Sequence, residues 1–196
     1  MKKTIVITGA GGNSPRCTTA HETYEPGDEN VQDALTFFNI PVEGFGFVFD
    51  LNLKGVLLSS QVFMPDMLKK GGCVLNISSM NAYRPLTKIP AYSAAKAAVS
   101  NLTAWMAAHF AGTAVRVNAI APGFFVTNQN RAMLFTAEGQ LTPRADKILR
   151  ATPMKRFGRP EELLGAVDFL LDERLSGFVT GITMPIDGGF SACSGV

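Results

Sequence analysis

Tyr92 and Lys96, in the stretch Tyr92-Ser-Ala-Ala-Lys96, are the residues whose types and spacing best suit chemistry. Residues four apart on a helix lie on one face, so a phenol and an ammonium would stand side by side. A free tyrosine, with a pKa near ~10, is a poor base at neutral pH. A fixed cation beside it favours the phenolate and lowers that pKa. Such a pair can pass a proton to or from an alcohol or carbonyl oxygen. The plain alternative is a helix that happens to carry an exposed Tyr and Lys.

Three further features raise the pair above that alternative. Ser79 lies thirteen residues before Tyr92, at the end of the apolar run Cys73-Val-Leu-Asn-Ile77. Asn52 lies twenty-seven residues before Ser79, in Leu51-Asn-Leu-Lys-Gly55. Pro122-Gly123 follows the apolar run Val115-Arg-Val-Asn-Ala-Ile120, and Thr127 comes four residues after the glycine. Asn, Ser, Tyr and Lys at these separations, followed by Pro-Gly-x-x-x-Thr, resemble the short-chain dehydrogenase/reductase family. The resemblance runs from about residue 4 to the C-terminus and includes Ser176-Gly-Phe-Val-Thr-Gly181 and Asp187-Gly-Gly189.

The resemblance implies roles. Tyr92 would be the general acid/base. Lys96 would lower its pKa and hold the nicotinamide ribose. Ser79 would hydrogen-bond the substrate oxygen, and Asn52 would hold a water linking Lys96 to solvent. Pro122, Gly123, Phe125 and Thr127 would contact the nicotinamide end of NAD or NADP. The cofactor carries the hydride chemistry and the protein supplies orientation. For Ser79 the alternative is a strand-end turn serine, for Asn52 a polar contact inside a helix, and for Thr127 an N-cap.

Composition excludes several other classes. The length, 196 residues, suits one domain, and 46% hydrophobic with 17% charged residues can bury a sizeable core. A net charge of +2 without a basic block argues against a nucleic-acid partner. No unbroken apolar run reaches membrane-spanning length, so no membrane role is expected. Three cysteines, Cys17, Cys73 and Cys193, lack metal-ligand spacing, and their odd count fits free thiols in a cytoplasmic protein.

These residues need elements to position them. Thr4–Thr8, Cys73–Ile77, Val115–Ile120 and Phe178–Ile186 are short, mostly apolar and β-branched, as strands buried on both faces are. Between them, 44–70 and 91–110 read as helices. In the second, Ala94, Ala98, Trp105 and Ala108 are available for packing. Pro160-Glu-Glu-Leu opens a further helix. Strand–helix alternation predicts an α/β fold: a Rossmann-like, doubly wound parallel sheet with helices on both faces. Asn13–Asn30 and Asn128–Arg159 read as loops leaving strand ends, where ligands of such sheets bind.

The N-terminal part departs from the family. Its phosphate-binding turn reads Thr-Gly-x-x-x-Gly-x-Gly, with backbone close to the pyrophosphate at a helix N-terminus. Here Thr8-Gly9-Ala10-Gly11-Gly12 is followed by Asn13 and Pro15 where later glycines belong. Gly9, Ala10 and Gly11 are the candidates for that contact. Thr8-Gly-Ala-Gly11 also matches Asn-x-Ala-Gly, the motif ending the family's fourth strand. Counting back from Asn52, about 60 to 90 residues of strand–helix units are absent, at roughly 30 residues each. The expectation is a single truncated domain over 1–196, with the first strand joined to the loop after the fourth. Such a chain should bind NAD(H) or NADP(H) no tighter than about millimolar. NAD and NADP both stay open.

Ile77-Ser-Ser-Met-Asn-Ala-Tyr-Arg-Pro-Leu-Thr and Pro-Gly-Phe-Phe-Val-Thr-Asn-Gln-Asn-Arg look like the sugar-acid branch, which includes D-mannonate oxidoreductase and fructuronate reductase. Arg16, His21, Arg84 and Arg131 are candidates to bind a carboxylate or hydroxyls of a small-molecule substrate. The resemblance also implies a homo-oligomer, a dimer or tetramer, through the long helices and the C-terminal strand. The alternative function is a catalytically inactive remnant that keeps only the fold and its assembly surfaces.

Overall fold

Consecutive β-branched and apolar residues suit strands covered on both sides, and the sheet is built from them. The computed structural model describes residues 4–8, 17–128 and 130–193. Gly9, Ala10 and Gly11, the expected phosphate turn, and Arg16 lie outside the described residues. Strands β1 (Thr4–Thr8), β2 (Gly72–Ile77), β3 (Val115–Pro122) and β4 (Thr183–Ile186) form one sheet in the order β1-β2-β3-β4. All pairs are parallel, with Thr8 opposite Asn76, Ile77 opposite Ile120 and Pro122 opposite Ile186. Parallel pairing brings the carboxyl ends of the strands to one edge of the molecule, where the site lies.

The period of two along β2 sends alternate side chains to opposite faces. Val74 packs with Met64, Met67, Met106 and Val117 beneath helices α2 (Gly55–Lys70) and α3 (Pro90–His109). Leu75 packs on the other face with Ile120 and Leu170 of helix α6 (Leu164–Leu171). The expected parallel α/β sheet with helices on both faces is what forms.

The helix expected over 44–70 begins at Val42 and runs through to Lys70 in three consecutive pieces: α1 (Val42–Phe49), a π-helical turn over Asp50–Lys54, and α2. Gly44, Gly46 and Gly55 do not interrupt it. At 29 residues, with an 18-residue window of mean hydropathy 1.2, it is long and apolar enough by length and composition to cross a membrane. Polar residues and glycines punctuate its apolar ones, so no unbroken apolar run marks it in the sequence. The helix packs one side on the sheet and α3 and exposes Phe47, Leu57, Leu58, Val62 and Phe63 on the other.

Helix α3 also differs in phase from the expectation. Its buried stripe is Ala91, Ala95, Lys96, Val99, Thr103, Met106 and Ala107. Trp105, Ala94 and Ala108 are exposed, and Ala98 is half-buried. The stripe that meets the sheet is fixed by Val99 and Met106, the larger apolar side chains at its spacing.

Two further boundaries move. The strand expected over Phe178–Ile186 shortens to Thr183–Ile186. Gly181 takes a left-handed φ of 81°, which breaks regular pairing, and Phe178 is fully exposed. The loop expected over 128–159 contains helices α4 (Arg131–Leu134) and α5 (Pro143–Ala151). Thr142 caps α5 by accepting from the Ala145 N–H, and Pro143 follows at the first helical position. Ala145 and Ile148, three apart, bury the inner face of α5.

Candidate active site

The end of β2 leads directly into the site. The Ser78 N–H donates to the Ile120 carbonyl at 2.8 Å, extending the ladder one residue beyond the strand. Ser79 is extended, with φ −163°, and caps a short 3₁₀ turn over Met80–Ala82, its Oγ accepting from the Asn81 N–H at 3.2 Å. Its side chain lies beside the Tyr92 phenol and lowers the pKa of that phenol. Tyr92 sits in the first turn of α3, half-buried against Cys17, Val48, Ala91 and Ala95.

Lys96 lies one turn further along the buried stripe and is 1% exposed. Its ammonium donates to the Ile77 carbonyl at 2.9 Å and stands 5.6 Å from the centre of the Tyr92 ring. Burial disfavours the charged amine and pushes its pKa down to about 8. The sequence expectation for Tyr92 was a lowered pKa. Instead, burial pushes the phenol up, and the Ser79 side chain offsets that only in part. The ammonium is turned to a backbone carbonyl, so desolvation outweighs its pull on the phenolate. At neutral pH the site therefore holds a protonated phenol above an ammonium.

A seam of polar contacts fixes α3 against β2. Asn76 Nδ2 donates to Thr103 Oγ1 at 2.8 Å, and the Ser78 hydroxyl donates to the Lys96 carbonyl at 3.0 Å. Ser78 and Ser100 hydroxyls are 2.7 Å apart. Buried groups paired in this way set the register of a helix on a strand, and here the register brings Tyr92 to Ser79. Asn52 is fully buried on the π-helical turn, which packs against α3, and its Nδ2 donates to the Val48 carbonyl at 2.9 Å. Such turns insert one residue into a helix and re-aim its side chain.

The segment after β3 lies beside this arrangement. The Gly123 N–H donates to the Ile186 carbonyl at 2.9 Å, and a Cβ at Gly123 would come within 2.6 Å of Asp187 Cα. The glycine is thus required by close backbone approach. Phe125 pairs with Gly158, where a Cβ would lie 2.4 Å from the phenyl ring. Thr127 is exposed. Its N–H donates to Asn130 Oδ1 at 2.8 Å, and Asn130, not Thr127, is the N-cap of α4.

The charged side chains expected to meet a carboxylate do not gather at one place. His21 is 2.8 Å from the Asp28 carboxylate, Arg84 donates to the Ser191 carbonyl at 3.0 Å, and Arg131 lies 5.3 Å over the Phe135 ring. Lys88, Arg144 and Lys147, which no motif in the sequence groups, line a cavity that reaches Ile89 and Phe124. The Thr142-Pro143 start signal and the Ala145/Ile148 spacing would have revealed the helix that carries two of them.

The comparisons with known proteins agree with this geometry. Residues 31–191 match the family described as enoyl-(acyl carrier protein) reductase. An uncharacterized oxidoreductase of Haemophilus influenzae is 58% identical over 193 residues, covering 98% of this chain and 67% of its own length. A solved Haemophilus structure named for D-mannonate oxidoreductase, with bound NAD, is 57% identical with a TM-score of 0.90 and matches 98% of this chain and 68% of its own. A gluconate 5-dehydrogenase from Burkholderia cenocepacia, in complex with NADP and tartrate, is 28% identical with a TM-score of 0.77 and matches 96% of this chain and 65% of its own. The chain thus spans about two thirds of the length of these relatives. With its parallel sheet, its strand-end serine and its Tyr-x-x-x-Lys helix, it belongs to the short-chain dehydrogenase/reductase family.

Proposed function

We propose that the chain carries the proton-transfer half of an NAD- or NADP-dependent oxidoreductase that interconverts a hydroxyl and a keto group on a sugar acid. The observation that carries this reading is the placement of the Tyr92 phenol beside Ser79 and 5.6 Å from the buried Lys96 ammonium, at the carboxyl ends of parallel strands. The residues in place fit the nicotinamide end of such a cofactor. Lys96 keeps its charge below about pH 8, and Tyr92 keeps its proton. A bound nicotinamide would supply or accept the hydride.

The chain's own residues do the rest. Ser79 donates to the substrate oxygen and fixes its position between two donors. Tyr92, held protonated by burial, gives its proton to that oxygen as charge develops, and takes it back in the reverse direction. Lys96 limits the phenolate charge left behind and would hold the ribose hydroxyls. Asn52 supports the turn that faces α3. Pro122, Gly123, Phe125 and Thr127 would border the nicotinamide, and Gly9, Ala10 and Gly11 the phosphates. The sugar-acid assignment is supported by the relatives named for D-mannonate and gluconate chemistry.

A second reading is a chain that keeps the fold and its assembly surface without turnover. It is favoured by the third of the relatives' length that this chain does not match. In both readings the exposed apolar face of α2 and α3, with Leu57, Leu102 and Trp105 around a groove of about 280 Å³, is covered by a second copy. The readings are separated by assaying NAD(P)H consumption with a keto acid of the sugar series. Turnover lost in Tyr92→Phe supports the first, and its absence from the unaltered chain supports the second.

A further inference from the structure

A cavity of about 190 Å³ opens at the N-terminal end of α3, the helix that carries Tyr92. Three of its walls tie it to the catalytic pair. Ile89 lies immediately before α3, three residues ahead of Tyr92. Phe124 follows Gly123, and Thr18 follows Cys17, which packs in the cluster that holds Tyr92. The remaining charged walls are Lys88, Arg144, Lys147 and a single carboxylate, Glu22.

These charges converge. Lys147 on α5 is ion-paired with Glu22, which lies 125 residues away in sequence on the segment that follows Cys17. The Lys147 ammonium, and then the charges of Lys88 and Arg144, hold the Glu22 carboxyl below its ordinary range. Lys88 adopts a left-handed φ of 68°, uncommon for a side chain of its size, and its carbonyl accepts from the Thr19 N–H at 2.9 Å. That tie binds the Glu22 segment to the turn that presents Lys88. Three cations, Lys88 from the turn before α3 and Arg144 and Lys147 from α5, thus gather around one carboxylate at a cavity that reaches the residue preceding α3.

A neighbouring, wider cavity of about 500 Å³ is lined by Arg84, Arg150 and Lys155, but those groups are otherwise engaged. Arg84 donates to Ser191, Arg150 pairs with Asp146 at 2.7 Å, and Lys155 donates to the Arg150 carbonyl at 2.7 Å. That cavity does not border α3.

We propose that Lys88, Arg144 and Lys147 form the site that reads the carboxylate of a polyhydroxy-acid substrate, and that the substrate carboxylate displaces Glu22 from Lys147 as it binds. The proposal rests on the sugar-acid reading above and assigns the group that selects for it. A guanidinium and two ammonium groups suit a carboxylate better than hydroxyls. A substrate held here by its carboxylate would reach toward α3, whose first turn carries Tyr92. Glu22 acts as a competitor, so an uncharged polyol of the same length gains nothing by displacing it.

The test is calorimetric titration of the purified chain with D-gluconate and with its neutral counterpart D-glucitol, in low salt. It needs neither cofactor nor turnover, so its outcome is separable from that of the oxidoreductase reading. Gluconate should bind more tightly than glucitol. Arg144→Met and Lys147→Met should each weaken gluconate about tenfold and leave glucitol unchanged. Glu22→Gln should strengthen gluconate. All three cradle variants are at exposed positions, and an unchanged melting temperature verifies that they fold. Failure of the unaltered chain to prefer gluconate, or indifference of gluconate binding to Arg144 and Lys147, would overturn the proposal. So would weaker gluconate binding in Glu22→Gln.

Discussion

Burying the Lys96 ammonium gives the protein a stability that depends on pH in a direction opposite to that of most of its other buried ionisable groups. The unfolded chain holds that proton to about pH 10.5, and the folded chain releases it near pH 8. Between those values the unfolded state binds more protons, so stability rises with pH. Below pH 8 both states are protonated and the folded state carries the whole penalty. At about 1.4 kcal/mol for each tenfold change in acidity, the displacement from 10.5 to about 8 amounts to about 3 kcal/mol, as an order of magnitude. The hydrogen bond to the Ile77 carbonyl is already contained in that balance. Tyr92 and the thiols of Cys17 and Cys73 are raised by burial, so their contributions are lost as pH climbs past their ordinary values of 10.0 and 9.0. Comparing the chain with Lys96→Met cancels those contributions. Denaturant unfolding at intervals from pH 7 to 10 should show the unaltered chain gaining about 2–3 kcal/mol relative to the variant. A difference that stays flat across that range would refute the claim that Lys96 is held charged at a desolvation cost.

Three other outcomes follow from contacts in the structure. Gly123→Ala should destabilise by about 1–3 kcal/mol, because its Cβ would meet the Asp187 backbone. Gly158→Ala meets only the Phe125 ring, which can turn, and should lower the melting temperature less. Trp105→Glu or Leu57→Arg, on the exposed face of α2 and α3, should convert an oligomer to monomer in light scattering with little change in helix content. A monodisperse monomer from the unaltered chain would contradict the assembly reading. Ser78→Ala removes a buried hydroxyl from the seam between β2 and α3 and should cost about 1 kcal/mol in denaturant unfolding.

The sequence made the sheet legible because β2 and β3 are buried on both faces and read as mostly apolar runs. The fourth strand was overextended because Val179 and Thr180 are β-branched, while the left-handed Gly181 between them and the strand leaves no mark in a hydrophobic pattern. The site was legible where chemistry depends on spacing along one helix, as for Tyr92 and Lys96. It was misjudged where chemistry depends on depth. Spacing places an ammonium beside a phenol, but only the packed structure shows that both are desolvated and that Lys96 faces Ile77. The stripe of α3 was misread for a related reason. Alanine-rich helices carry little amphipathic contrast, so the phase is set by Val99 and Met106 and by the polar Thr103. Lys88, Arg144 and Lys147 could not be grouped from sequence, since they meet only through the tertiary path of the segment after Cys17.

The central claim is that Tyr92, held protonated beside Ser79 and above Lys96, transfers the proton in an oxidoreductase reaction. Its most direct measurement is NAD(P)H consumption with a keto acid of the sugar series, for the unaltered chain and for Tyr92→Phe, at cofactor concentrations reaching into the millimolar range. The account predicts consumption by the unaltered chain and its loss in Tyr92→Phe, with the two proteins equally stable. Equal rates in both, or no consumption by the unaltered chain, would contradict it.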